Sequence, residues 1–496
     1  MRRSSARDTA ARALLSALPL LVLACAGTAP TRALDGPEPR APRALAWRYT
    51  VRADAALTRL DVVACFDAAA PEVLVPGLSG AAVPLEPRGW DARGPFPLSV
   101  GEGGVLRLPA AGRDACVAYH LDVGQVLASG DRDTAFRVGR DLVLAPDVLL
   151  WRPRRVPGDV AAQATFELPA GLAVSAPWPR VAERGDTYSL DASAFAWRGQ
   201  LALGRFSPET LALAPDSTCE VVLLDAPTRT SAAGRARWLE AAAGAVASVV
   251  GAFPREHLQV VIAPTPGGGD DPVAFGYVLR GGGAAVTLLL DGGADDADLA
   301  DDWVAVHELF HLAMPPIARR DAWLSEGVTM YFTELLRVRA GFITAREGFA
   351  ALHDGFLRGR AAGTGRTLAA ESSDMHETRA YRRVYWAGAA IALEADLAMR
   401  RRVGRDLASV LAELRACCAR SGRFWSADEV VARLDALAGA AVFSEAATRW
   451  LAVAAFPDLG DAYRALGLDP TSGEPDSDPD HAALRDALMT SEPSDR

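Results

Sequence analysis

The stretch His307-Glu308-Leu309-Phe310-His311, followed beyond Pro315-Pro316 by Trp323-Leu324-Ser325-Glu326-Gly327, decides how this chain reads. On a helix, His307 and His311 lie one turn apart on one face, so both imidazoles reach the same point. Glu308 lies between them, angled to take a proton from a water held there rather than to ligate. Glu326 opens a second apolar segment and can supply a third ligand. Two His and one Glu leave the fourth position of a tetrahedral zinc ion open, which is the pattern of a catalytic site. The chain has only seven His among 496 residues, so two at this spacing weigh against an ordinary helix. One Zn2+ per chain is the expected cofactor.

Outward from the motif, Asp295, Asp296, Asp298, Asp301 and Asp302 precede its helix. Their spacing lacks an EF-hand pattern, so they read as favourable charge at a helix N-terminus. Pro315-Pro316 ends the motif helix. A second helix is expected from Ala322 to Val338. Helical periodicity then recurs over Ala345–Leu357, Arg379–Arg402, Asp406–Cys418, Ala427–Leu437 and Ser444–Ala454. Before the motif, Arg235–Phe253 reads as a helix, and His257–Ile262, Val273–Leu279 and Val286–Leu290 read as strands. The glycines at 267–269 and 281–283 read as tight turns, since no GK[ST] follows them.

From about residue 44 to 225 the pattern changes to short runs rich in Val, Leu, Thr, Trp and Phe, separated by Gly, Pro and Asp. Leu60–Phe66, Cys116–Val123 and Thr218–Leu224 are examples. This predicts an all-β sandwich with nothing catalytic in it. The fold class is therefore α+β and multidomain. The β-sandwich spans 44–225, a thermolysin-like, mostly helical domain spans 226–462, and a polar tail spans 463–496. Residues 471–480, acidic and rich in Pro and Ser, read as disordered.

Net charge is −10, and no Lys/Arg run is present, which excludes a nucleic-acid partner. Residues 1–33 read as an export signal. Arg2, Arg3, Arg7 and Arg12 precede an apolar run, Ala13–Ala26, too short for a transmembrane helix. Leu21-Val22-Leu23-Ala24-Cys25 resembles a lipobox, with Cys25 as the lipidated residue. A plain secretory signal is the alternative. Residues 34–43 then form a tether, and the expected location is the bacterial envelope: anchored by lipid to the outer membrane, periplasmic or secreted. Cys65 and Cys116 sit in strand-like segments and form either a disulfide or two buried thiols. Cys417 and Cys418 are neighbours in a helical pattern, where a bridge is strained, so thiols are expected.

A β-rich region followed by HExxH, WLSEG and a helical remainder resembles the gluzincin metallopeptidases. The chain is most similar to the bacterial glycyl aminopeptidase family, without its PDZ domain, and next to the aminopeptidase N family. Trp323–Thr329 matches the first family's W-[LF]-S-E-G-[FV]-T segment. Tyr385-Trp386-Ala387-Gly388 matches its Y-x-K-G segment, and Phe456-Pro457-Asp458-Leu459 to Gly467-Leu468 its LPYxxxLxxxGL. The resemblance covers roughly 226–470. It implies a peptide or protein substrate, zinc on His307, His311 and Glu326, Glu308 as general base, and Tyr385 as the oxyanion donor, with Tyr381 the rival.

Three departures stand out. The families have a Gly-rich strand ending in an acid that binds the substrate's α-amino group, whereas Phe275–Leu290 contains no Asp or Glu. Ala387 replaces a Lys. The His311-to-Glu326 spacing is tighter than in the aminopeptidase N family. Arg280, in the same stretch, reads as a solvated side chain beside a turn or as a partner for a substrate carboxylate. The function expected is peptide bond hydrolysis, by amino- or endopeptidase action. The competing reading is a catalytically retired, surface-anchored binding protein on a peptidase scaffold.

Overall fold

The computed structural model describes residues 47–490, apart from 68–70, 79–82, 109–110, 182–184, 215 and 270. The signal segment, the tether and Cys25 lie outside the described residues. The described chain is α+β, strand-rich first and helical after.

Strand Arg59–Phe66 shows why the first part is β. It alternates, burying Leu60, Val62, Ala64 and Phe66 while the intervening side chains face outward. Ala115–Asp122 repeats the pattern beside it. Period-two patterning buries one face of a sheet. These strands are central in a seven-stranded sheet. Two four-stranded sheets share the same apolar core, so a third sheet joins the expected two. Cys65 and Cys116 are directly opposite in register and disulfide-bonded.

The last strands before residue 225 do not join the sheets of the strand-rich region. Glu209–Ala214 and Ser217–Leu223 belong to a five-stranded sheet with His257–Thr265, Ala284–Asp291 and Val273–Leu279. Ser217–Leu223 runs parallel to His257–Thr265 and is buried on both faces. Cys219 and Val221 pack into the helical core, while Val222 packs toward a four-stranded sheet. Strands covered on both sides read as continuous apolar runs, which resemble sandwich strands in sequence. Val273–Leu279 is the edge strand, antiparallel to Ala284–Asp291.

The motif helix, Val304–His311, starts where Asp302 accepts hydrogen bonds from the Val304 and Ala305 amides, both at 2.9 Å. The acidic run thus caps helices. Asp296 likewise accepts from Ser231, the cap of helix Ala232–Val250. The ligand helix, Ala322–Arg339, and the tyrosine helix, Tyr381–Val403, follow.

Two expectations are corrected here. Residues 463–490 are not a polar tail. Helix Pro479–Thr490 buries Leu488 and Met489, and the Met489 carbonyl accepts from Arg339 Nε at 3.2 Å. The segment 471–480 is held by its own acids: Asp469 accepts from the Thr471 and Ser472 amides, and Asp476 pairs with His481 and Arg485. Cys417 and Cys418 are bonded to each other rather than left as thiols. They are the last two residues of helix Leu407–Cys418, where few backbone bonds remain to be lost. No described helix is long and apolar enough to cross a membrane.

Candidate metal centre and active site

The motif helix is almost wholly buried, so its polar residues need partners in place. His307 and His311 present Nε2 to Glu326 Oε2 at 3.3 and 3.4 Å. Among the described residues these three form the single group of His, Cys, Asp or Glu placed to hold a metal, with ligand atoms within 4.8 Å of one another.

The other ring nitrogens settle the tautomers. His307 Nδ1 lies 3.1 Å from Thr333 Oγ1, and His311 Nδ1 lies 3.3 Å from Thr329 Oγ1. Each threonine hydroxyl already donates its proton, Thr329 to the Ser325 carbonyl and Thr333 to the Thr329 carbonyl. The oxygens are left to accept, so Nδ1 of each histidine carries the hydrogen. Both Nε2 lone pairs are then free to bind a cation, and zinc fits this donor set. Glu326, Thr329 and Thr333 share one face of the ligand helix by their spacing of three and four. The two threonines escaped sequence reasoning. The available signal was their position three and seven residues beyond Glu326.

Burial opposes ionisation of Glu326, but the imidazoles of His311 and His307 outweigh it and hold its carboxyl well below the usual range. Glu308 stands in a different setting. Burial, reinforced by Glu326 and Asp302, pushes its carboxyl up to about 7 against the lowering effect of His307. It has no hydrogen-bond partner among the described residues. Glu308 is thus a basic carboxylate turned toward the cleft, and Glu326 is an anion beside the histidines.

Tyr385 comes from the tyrosine helix. Its ring stacks on that of His307 at 6.2 Å between centroids and 12° between planes. Burial, then the nearby Glu326 and Glu308 carboxylates, raise its phenol. Tyr385 therefore stays protonated and can donate. Its rival Tyr381 is 39% exposed and turns to His376 Nδ1 at 3.4 Å.

Glycines bring the two helices together. A Cβ on Gly388 would stand 1.9 Å from the Trp323 carbonyl oxygen, and one on Gly327 would stand 2.4 Å from Gly388 Cα. This crossing places Tyr385, one turn before Gly388, beside Glu326, the neighbour of Gly327. Ala387, where the resemblance has Lys, is fully buried in the helical core.

On the other side of the cleft, a Cβ on Gly276 would stand 2.6 Å from Glu308 Cγ, so the edge strand runs against the motif helix. Arg280, just beyond that strand, is not a solvated side chain. Its Nη2 donates to the His311 carbonyl at 2.6 Å, and its Nη1 is buried with no partner among the described residues. Burial, then nearby Arg255, lower its guanidinium to about 9.

No family profile and no curated protein sequence matches this chain. Solved structures do. An aminopeptidase N family protein from Idiomarina loihiensis is similar at 16% identity, over 85% of this chain and 78% of that one, with a TM-score of 0.65. A two-domain M1 zinc metallopeptidase mutant bound to L-tryptophan is similar at 16% identity, over 83% and 95%, with a TM-score of 0.54. An M1 zinc metallopeptidase mutant from Deinococcus radiodurans is similar at 17% identity, over 83% and 94%, with a TM-score of 0.52. At such identities the likeness is one of architecture: this chain has the two-domain, strand-rich and then helical fold of the M1 zinc metallopeptidases.

Proposed function

We propose that this protein is a zinc-dependent peptide hydrolase of the cell envelope, exported by its N-terminal segment and held by a lipid on Cys25. The observation that carries the hydrolase reading is the convergence of two histidine Nε2 atoms and the Glu326 carboxylate on one point, with both Nδ1 atoms fixed by threonines. The fold shared with M1 zinc metallopeptidases supports it. One of those structures is bound to a Tyr-Ser-Ala substrate, in keeping with a peptide substrate here.

His307, His311 and Glu326 would hold the ion. Zinc, when bound, supplies a Lewis acid that polarises a carbonyl and acidifies water. Glu308 takes the proton of the attacking water and passes it to the leaving amine, a role suited to a carboxylate with its pKa near working pH. Tyr385 donates its phenolic hydrogen to the developing oxyanion from a fixed position, without reorganising. The stacked His307 ring and the glycine crossing keep that phenol in place.

The test combines metal analysis with cleavage of a fluorogenic peptide. One zinc per chain and chelator-sensitive cleavage are expected. Glu308→Gln should keep its zinc and lose turnover by about a hundredfold to ten-thousandfold. Zinc bound without cleavage by the unmodified protein would favour the binding-protein alternative.

A further inference from the structure

Tyr385 stands early in the helix Tyr381–Val403, and no side chain caps that end. Uncapped helix ends are where a chain loosens first. The Gly327–Gly388 crossing holds the backbone of Tyr385 beside Glu326. It does not hold the ring, which still turns about its own side-chain bonds, and the second of these torsions is broad. A donor to an oxyanion acts best when it is set in place before the charge develops. The ring therefore needs neighbours of its own.

It has two, and they meet it differently. The His307 imidazole lies nearly parallel to it. Tyr381, four residues back on the same helix face, meets it at 6.4 Å between centroids and 87° between planes. A parallel neighbour limits tilting of a ring, and a perpendicular one limits its sliding, so the pair restrains both. Tyr381 is held in turn. The His376 ring meets it at 5.7 Å and 75°, with Nδ1 at 3.4 Å from the Tyr381 hydroxyl. That hydrogen bond is long, so ring packing carries most of the hold.

His376 lies in the short helix Met375–Thr378. The chain returns from it to Tyr381 through Arg379, whose φ of 59° is a left-handed conformation unfavourable for an arginine. Such strain persists only where the surroundings fix it. Here Met375 is buried, and Ser372 staples the segment to the start of the ligand helix. Its hydroxyl donates to the Arg320 carbonyl at 2.8 Å and accepts from the Trp323 amide at 3.0 Å. Four rings, His376, Tyr381, Tyr385 and His307, thus run in succession from the rim to the metal centre. Charge places the outer pair at the same centre: Tyr381 acts on the Tyr385 phenol, and the Glu326 carboxylate acts on His376.

We infer that Tyr381, steadied by His376, is a positioning residue whose ring orients the Tyr385 phenol toward the developing oxyanion. The inference rests on the hydrolase reading, with Tyr385 as the donor.

The experiment uses the full zinc-loaded protein, the fluorogenic peptide, and a phosphonate peptide whose tetrahedral oxygen anion stands in for the oxyanion. Tyr381→Leu should lower kcat about tenfold to a hundredfold, with KM and zinc content unchanged. Tyr381→Phe keeps the ring and should restore kcat to within about twofold of the unmodified protein. In a Tyr385→Phe background no phenol is left to orient, so Tyr381→Leu should cost no more than about twofold further. His376→Ala, at an exposed position, probes the same coupling without disturbing the helix. It should lower kcat in the presence of the Tyr385 phenol and not in its absence. Phosphonate affinity should follow kcat through the whole set. A rise in KM alone, equal losses in both Tyr385 backgrounds, or a Tyr381→Phe variant as impaired as Tyr381→Leu would overturn the assignment. If the unmodified protein does not cleave the peptide, phosphonate binding by calorimetry decides. Weakening by Tyr381→Leu or His376→Ala that requires the Tyr385 phenol would support the positioning role and overturn the hydrolase reading. No weakening, or weakening independent of Tyr385, would overturn the positioning role.

Discussion

The ring nitrogens of the two histidines are held by threonines, whereas the Glu308 carboxyl on the same helix has no hydrogen-bond partner among the described residues. On the histidines, each Nδ1 has a threonine partner, and each Nε2 lone pair faces the Glu326 carboxylate across the point where a cation would sit. Glu308 instead packs against the bare backbone of Gly276, where a Cβ would stand 2.6 Å from its Cγ. The difference separates two tasks. A metal centre must be rigid before substrate arrives, and closed hydrogen-bond networks supply that rigidity. A carboxylate that is to take a proton from a reactant must be left unpaired until then.

That contrast can be broken experimentally on the helical side. The largest effect expected is that of Tyr385→Phe. Removing one preorganised oxyanion donor should lower kcat by about a hundredfold to a thousandfold with zinc content unchanged. Steady-state kinetics with metal analysis reads this out, and a small loss would hand the role to another donor. Gly388→Ala comes next. Its methyl group would collide with the Trp323 carbonyl and force the two helices apart. We expect a loss of about 1–3 kcal/mol of stability from overpacking, with reduced activity as Tyr385 moves away from Glu326. Thermal unfolding of the zinc-loaded protein measures it, and an unchanged midpoint would show that the crossing is looser than described. Thr333→Val should act least. It removes the acceptor for His307 Nδ1 while keeping the shape, so zinc affinity should fall about tenfold to a hundredfold. Chelator competition gives the affinity, and an unchanged value would mean that packing alone orients His307.

Legibility followed range along the chain. The histidine pair is one helical turn, so spacing alone aligned it, and Glu326 and Glu308 were readable from the same segment. Tyr385 and Tyr381 were harder to separate, since both begin one helix four residues apart. The Gly327–Gly388 contact, which no local pattern announces, turns Tyr385 inward and leaves Tyr381 at the rim. Thr329 and Thr333 passed as ordinary helical residues because their hydroxyls matter only once another helix lies alongside. Thr218–Leu224 was grouped with the sandwich, although Ser217–Leu223 pairs with His257–Thr265, because β-propensity does not say which neighbour a strand will find. The final helix was grouped with a polar tail because its acidic flank outweighs the few apolar residues it buries.

The sequence by itself determined the residues that can hold a metal, the carboxylate between them, and the change from period two to period 3.6 that separates the two halves. Those properties lie within one or two turns of helix or a single strand, where covalent geometry sets the distances. Tertiary structure alone decided which tyrosine faces the metal centre, which tautomer each histidine adopts, and that Arg280 donates to the His311 carbonyl instead of standing in solvent. Each of these depends on where two elements distant in sequence cross, and that is set by close packing of the whole core.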